Sequence, residues 1–243
     1  MSCFVHLHLH SEYSLLDGAC RITDIPKAAK AAGHSAVAIT DHGVMYGAVA
    51  FFRACRDEGI KPIIGCEVYV APRSRFEKDG KQDQSGYHLI LLCKNEIGYR
   101  NLIRMVSASF TEGFYSKPRI DRSLLEKYHE GLIALSACLA GYIPRMILLG
   151  DMREAEENAL WMRGLFGEDF YLEVQDHHLP DEATVMRGLI ELSGRTGIPL
   201  VATNDVHYLR KEDAATQAML LCIQTNNVIT DGRPIGFETD EFY

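Results

Sequence analysis

The segment Phe4-Val5-His6-Leu7-His8-Leu9-His10-Ser11 constrains the chain more than any other. Histidine alternates with an apolar residue through three repeats. A repeat of two is that of a β-strand, whose successive side chains point to opposite faces. A strand here directs His6, His8 and His10 to one face and Val5, Leu7 and Leu9 to the other. A row of imidazoles at the edge of a cavity is a metal-binding comb, because neutral imidazole is a nitrogen ligand that suits zinc, manganese and iron. The competing reading is a solvated strand face that carries histidine.

Strand-like and helix-like segments alternate along the remaining chain. Expected strands are Cys3–Leu9, Ala36–Thr40, Pro62–Val70, His88–Cys93, Leu132–Ser136, Asp169–Gln175 and Pro199–Thr203. Helices are expected near Ile22–Ala32 (Thr23 as N-cap), Tyr46–Glu58, Ile97–Phe110, Ser123–His129, Gly141–Leu149, Arg153–Phe166, Glu182–Thr196 and Asp213–Gln224. Pro72–Gly86 and Thr111–Asp121 read as irregular. Repeated β-α units favour a parallel sheet with right-handed crossovers, most simply closed into a barrel. An open doubly wound sheet is the alternative, because spacing does not give strand order.

Composition narrows the function. With 33 acidic and 25 basic residues the net charge is −8, which argues against duplex binding through a broad basic face. A nucleic-acid partner would need metal ions, a local basic patch or another domain. Seven cysteines, an odd number with no CxxC pair, argue for reduced thiols. No apolar run reaches membrane length and no basic leader precedes an apolar stretch, so a cytoplasmic protein without a membrane partner is expected. The closing Glu238–Tyr243 has neither a helix stop nor a polar tail, as expected of the front piece of a longer chain.

In a parallel barrel, ligands gather at the C-terminal ends of the strands. Those ends carry His8 and His10, Asp41-His42, Glu67, Ser136-Ala137-Cys138, and Asn204-Asp205-Val206-His207. Glu67 lies in an apolar strand, where an unpaired carboxylate is costly to bury. Each piece has a plainer reading. Asp41 could cap the next helix, Cys138 could be a small buried apolar residue, and Asp17 could be a turn residue. His88 falls at the start of its strand, the wrong end for such a site. His34, His129, His177 and His178 read as solvated, and His6, one step deeper than His8 on the same face, as a residue behind the ligands or in the barrel core.

The stretches FVHLHLHSEYSLLDGA (4–19), AITDHG (38–43), KPIIGCEVYV (61–70), YHLILL (87–92), GFYSKPRID (113–121), LSACLAG (135–141) and PLVATNDVHYL (199–209) resemble the PHP (polymerase and histidinol phosphatase) domain of bacterial DNA polymerase III alpha subunits. The resemblance spans residues 1–243 as one domain. It implies a distorted seven-stranded β/α barrel with its metal site at the C-terminal strand ends. It further implies up to three divalent ions (zinc, manganese, iron or magnesium). One would take His8, His10, Glu67 and Asp205. A second would share Glu67 and take His88 and Cys138. The third would take Asp17, His42 and His207.

The implied activity is metal-dependent phosphodiester hydrolysis, a 3′–5′ exonuclease that proofreads a DNA 3′ end. The attacking group would be a metal-activated water rather than a protein base. Asp41 would orient a ligand, and Lys117 and Arg119 would meet phosphate. In a full-length protein the partners would be the polymerase core and other replisome subunits, with the polymerising residues outside this chain. A small-molecule phosphatase with the same metal set and a metal-binding scaffold without turnover are the alternatives.

Overall fold

A computed structural model describes residues 4–15, 17–84, 86–228, 237 and 239–243. Seven strands form one curled sheet: β1 (Ala36–Ile39), β2 (Lys61–Val70), β3 (Tyr87–Cys93), β4 (Arg119–Ile120), β5 (Leu132–Leu135), β6 (Phe170–Val174) and β7 (Leu200–Ala202). Their order is β1-β2-β3-β5-β6-β7. The long β2 pairs with β1 through its first half and with β4 through Tyr69 and Val70. Helices α1 (Ile25–Ala31), α2 (Ala48–Glu58), α3 (Gly80–Gln84), α4 (Glu96–Thr111), α5 (Arg122–Tyr128), α6 (Tyr142–Leu148), α7 (Met152–Phe166), α8 (Pro180–Thr196) and α9 (Ala214–Thr225) fill the connections. No helix among the described residues is long and apolar enough to cross a membrane.

Three features depart from the sequence expectation. The first concerns Phe4–Leu9; Cys3 lies outside the described residues, and the rest is not a laddered strand. It runs between β1 and the stretch after β7, and hydrogen-bonds to both. Ala38 and Thr40 donate to the carbonyls of His6 and Leu9, while Val206 donates to His8 and His10 donates to Val206. The chain bends at His8, so the strict alternation fails. His6 packs outward with Phe4 and His34, and Leu7 joins the barrel interior. Burial and the neighbouring His34 push the His6 imidazole down to about 4.

The second departure is strand direction. β3 is antiparallel to both β2 and β5, whereas β1–β2, β5–β6 and β6–β7 are parallel. Parallel neighbours need a long crossover, and the 16 residues from Ala71 to Gly86 supply one in length. They instead return the chain along β2 as an antiparallel pair. The third departure lies in the two stretches expected to be irregular, which contain α3 and β4. The N-cap of α1 is Asp24, not Thr23, without a side-chain cap bond.

Three apolar clusters hold the sheet. The largest lies between its outer face and α4–α8, and includes Leu91, Leu102, Met105, Phe170 and Leu189. A second, with Phe51, Cys55 and Ile25, seats α1 and α2. The third is the barrel interior: Ala38, Ile90, Leu92, Leu135 and Ala137. Each fully buried large aliphatic or aromatic residue contributes about 1.5–3 kcal/mol. Side chains of Asn95, Asp121 and Asp151 cap α4, α5 and α7.

Candidate metal centre

The reversed direction of β3 explains His88. The first turn of β3 lies beside the C-terminal end of β2, with His88 opposite Tyr69 and Ile90 opposite Glu67. A residue at the start of an antiparallel strand therefore reaches the same rim as residues at the ends of its neighbours.

At that rim Glu67 is the common partner. His88 Nδ1 lies 2.7 Å from Glu67 Oε1, and Cys138 Sγ lies 4.0 Å from Oε1 and 3.7 Å from His88 Nδ1. His8 Nε2 and His10 Nε2 lie 3.5 and 3.7 Å from the two Glu67 oxygens. Both also meet Asp205 Oδ1, at 3.0 and 3.1 Å. His42 pairs with Glu67 through Nδ1 and with Asp17 Oδ2 at 3.1 Å through Nε2. His207 tilts against His10, ring centroids 4.4 Å apart, while His42 stacks on His10 at 3.9 Å. A cavity of about 310 Å³ opens onto Asp17, His42, Glu67, His88, Cys138, Asp205 and His207, above the buried His8 and His10.

Local backbone aims several of these groups. Ala137 and Asp205 have φ of 64° and 44°. Left-handed backbone costs a non-glycine residue about 1–2 kcal/mol, and such strain clusters at functional sites. Here it turns Cys138 and the Asp205 carboxylate toward the rim. Gly43, at φ +65°, carries the chain away after His42, and a Cβ there would stand 2.8 Å from Pro118 Cγ.

Asp41 does not cap a helix: α2 begins at Ala48, behind Gly47. Its carboxylate accepts from the Ser11 N–H (2.7 Å), the Ser11 hydroxyl (2.8 Å) and the Ser14 hydroxyl (2.8 Å). The Ser14 oxygen in turn lies 3.1 Å from His10 Nδ1. Burial pushes the Asp41 carboxyl up, against these bonds. Glu173 was missed by the sequence reading. It lies 2.7 Å from His8 Nδ1, and Gln175 and Thr203 donate to the same oxygen. The argument applied to Glu67, a carboxylate inside an apolar strand, applies equally to Phe170-Tyr171-Leu172-Glu173-Val174.

His177 corrects the expectation of a solvated side chain. It is fully buried, hydrogen-bonded to Glu182 Oε1 at 2.5 Å and to the Asn204 carbonyl at 2.8 Å, and stacked on Phe242. The Phe242 carbonyl accepts from the His207 N–H, so the 239–243 segment forms one wall of the site.

Arg119 is a second correction. It is fully buried. Its Nε donates to the Gly113 carbonyl (3.0 Å), Nη1 to Asp83 (2.7 Å), and Nη2 to Arg75 (3.1 Å) and Glu77 (2.9 Å). It is a loop staple with no edge left for phosphate. Lys117 is exposed beside the site, its ammonium 5.2 Å from the Tyr69 ring centroid.

The electrostatics suit cations. Burial disfavours the Glu67 and Asp205 carboxylates, yet neighbouring imidazoles hold both well below the usual range. Burial also opposes charge on His42, but Glu67 and Asp17 raise it to about 10. Burial, with His42 and His207 nearby, pushes His10 down to about 3, leaving a neutral imidazole, the form that ligates. Burial, with Asp205 and Glu67 nearby, holds the Cys138 thiol well up. Buried Asp17 Oδ1 has no hydrogen-bond partner among the described residues, while His42 Nδ1 and Glu67 Oε2 press directly against each other. Orphaned buried polar atoms need an explanation, and a bound cation supplies one. Three sets have donor atoms within 4.8 Å of one another and could each hold an ion: His8-His10-Glu67, His10-His42-His207 and Glu67-His88-Cys138. Nitrogen, carboxylate and thiolate donors together fit zinc, manganese or iron.

A curled α/β sheet with this donor set at one rim defines a class, and comparison identifies it. The PHP domain profile matches residues 6–177, and the chain belongs to the PHP domain family. Asp205 and His207 lie beyond the matched stretch but on the same rim. The chain is 54 % identical over 242 residues to DNA polymerase III subunit alpha of Treponema pallidum, covering 99 % of this chain and 21 % of that protein. For the subunits of Borreliella burgdorferi and Thermus aquaticus, identity is 50 % and 46 %. Coverage is 100 % and 99 % of this chain, against 21 % and 20 % of theirs. The chain spans about a fifth of the length of these relatives. A Bifidobacterium adolescentis protein assigned to the metal-dependent phosphoesterases shares the fold at a TM-score of 0.53 and 15 % identity, covering 94 % of this chain and 98 % of that one. A two-domain Bacteroides vulgatus protein containing a PHP-like phosphoesterase does so at 0.51 and 17 %, covering 88 % and 54 %.

Proposed function

We propose that this chain is the PHP domain of a cytoplasmic replicative DNA polymerase III alpha subunit, lying at the front of a longer polypeptide, and that it removes nucleotides from DNA 3′ ends. The observation that carries this reading is the shared Glu67 carboxylate. It lies among five other donors, His8, His10, His42, His88 and Cys138, with the buried Asp17 Oδ1 left unpaired nearby. His8, His10, Glu67 and Asp205 would hold one ion. Glu67, His88 and Cys138 would hold a second, and Asp17, His42 and His207 a third.

Divalent ions in such sets supply a polarised water and neutralise phosphoryl oxygens. The chain's own groups do the rest. Glu173 anchors His8, and the Asp41–Ser14 pair orients His10, as outer partners of ligating imidazoles commonly do. Cys138 must release its proton to ligate, so occupancy falls in acid. Lys117 meets substrate phosphate at the rim.

The close likeness to polymerase subunits over the whole chain favours DNA over a small phosphomonoester. The polymerising residues would lie elsewhere, so the chain alone incorporates no nucleotides. The test is hydrolysis of a 3′-frayed oligonucleotide, and of histidinol phosphate, across manganese, zinc, magnesium and iron(II), beside His8→Ala. Ion-dependent shortening from the 3′ end that His8→Ala loses supports the proposal. Hydrolysis of the phosphomonoester alone supports the small-molecule phosphatase. Bound metal without either reaction supports the scaffold.

A further inference from the structure

We propose that the groove beside His88 is a binding subsite for single-stranded polynucleotide, in which Lys81 and Lys117 hold successive phosphodiesters of a strand that leads to the metal centre. The choice of a polynucleotide rests on the phosphoesterase reading above; the groove itself does not. It is a cavity of about 340 Å³ lined by Tyr69, Lys81, Gln84, His88, Ser116 and Lys117, and it meets the metal-site cavity at His88.

Charge marks this groove out. The chain carries a net −8, yet no carboxylate lines it. Lys81 and Lys117 are both exposed and, like Lys61, Lys78 and Lys127, form no ion pair among the described residues; they are the two lysines that line this groove. The Gln84 amide and the Ser116 hydroxyl add neutral donors between them.

The groove is also built. Its two walls come from the α3 segment and from the turn at Tyr115–Lys117, where Ser116 sits at φ 63° and Tyr115 donates to the Lys117 carbonyl. The buried Arg119 ties these walls together, since it donates to Asp83 on one side and Gly113 on the other. Tyr69 forms the floor, with the Lys117 ammonium 5.2 Å from its ring centroid. Single-strand grooves characteristically carry cations that track the backbone. Two lysines on separate walls suit a chain of monoanions. An enclosed phosphate would instead be met by backbone N–H groups or a bidentate guanidinium.

The test measures binding in the presence of chelator, so it does not depend on turnover. A labelled oligothymidylate of about 12 nucleotides is titrated by anisotropy at several salt concentrations. The comparison is wild type, Lys81→Met/Lys117→Met, and a charge-matched control, Lys61→Met/Lys127→Met. Lys61 opens β2 at the far end of the barrel and Lys127 lies on α5. Circular dichroism checks folding.

Loss of two phosphate contacts lowers the slope of log K against log salt by about 1.4, and weakens binding about tenfold at low salt. The control should retain the wild-type slope. Equal loss in both variants would mean diffuse charge and would overturn the proposal. So would a groove variant that binds like wild type, or a wild type that does not bind. A chain that binds through these lysines but cleaves nothing would keep the subsite and refute the nuclease.

Discussion

Two buried charged groups stand close together in this molecule and have opposite characters. Arg119 is enclosed by four carbonyls, with all three guanidinium nitrogens engaged. Glu67, two residues before its β4-paired neighbour Tyr69, is as deeply buried, yet it meets only imidazoles and the Cys138 thiol, all of them metal-ligating groups, and the nearby Asp17 Oδ1 lacks a hydrogen-bond partner among the described residues. A buried charge consumed by backbone carbonyls rigidifies a fold, and one ringed by side-chain donors that can themselves ligate is poised for an ion. The comparison separates a staple from a site, although sequence alone assigned Arg119 and Glu67 both to function.

The sharpest way to break that contrast is Glu67→Gln. It should release bound metal and lower ion-dependent phosphodiester hydrolysis by more than about 100-fold, because loss of an outer partner alone costs 10–100-fold. In chelator its unfolding free energy should stay within about 1 kcal/mol of wild type, since His42, held protonated by Glu67 and Asp17, can shed its proton when the carboxylate goes. Metal analysis and urea titration read the two effects. A variant that keeps its metal would refute the central role of Glu67.

Arg119→Met should behave in the opposite sense. It strands buried carbonyls, each costing about 1–3 kcal/mol, so a loss of about 3 kcal/mol or more in urea is expected. Metal content of the folded fraction should match wild type. Unchanged stability would mean that the staple is ornamental.

The smallest effect sharpens the staple side. Burial disfavours the Asp121 carboxylate, but the Arg75 and Leu124 N–H groups, the Ser123 hydroxyl and the Arg75 guanidinium hold it below the usual range. A carboxyl depressed on folding contributes stability above its unfolded value, about 3.9, and loses it as pH falls through the folded value. Asp121→Asn should therefore be less stable than wild type at neutral pH, with the gap narrowing below about pH 4. Urea midpoints across that range check it. A gap that persists in acid would assign the effect to the helix cap rather than to charge.

Much of the fold was legible because its signals are local. β1, β2, β3, β5, β6 and β7 stand within a residue or two of the apolar runs that announce them. Gly59, the residue at which the second expected helix should stop, is a left-handed C-cap, as glycine permits. The rim residues were legible too, because imidazole, carboxylate and thiol at strand ends are rare enough to be noticed together. What failed was non-local. Arg119 and Lys117 look alike in a basic loop, and only packing shows that one is consumed by carbonyls. His177 looks solvated until Glu182, one turn into α8, closes over it.

Sequence by itself determined the α/β alternation, the donor types and the acidic character of the chain, since each follows from side-chain chemistry and short-range periodicity. Tertiary structure decided the direction of β3, the bend that turns His6 away from His8 and His10, and which buried charges meet backbone carbonyls and which meet imidazoles. Those depend on contacts between residues as distant in the chain as His8 and Glu173, and no local pattern encodes which partner a buried group will meet.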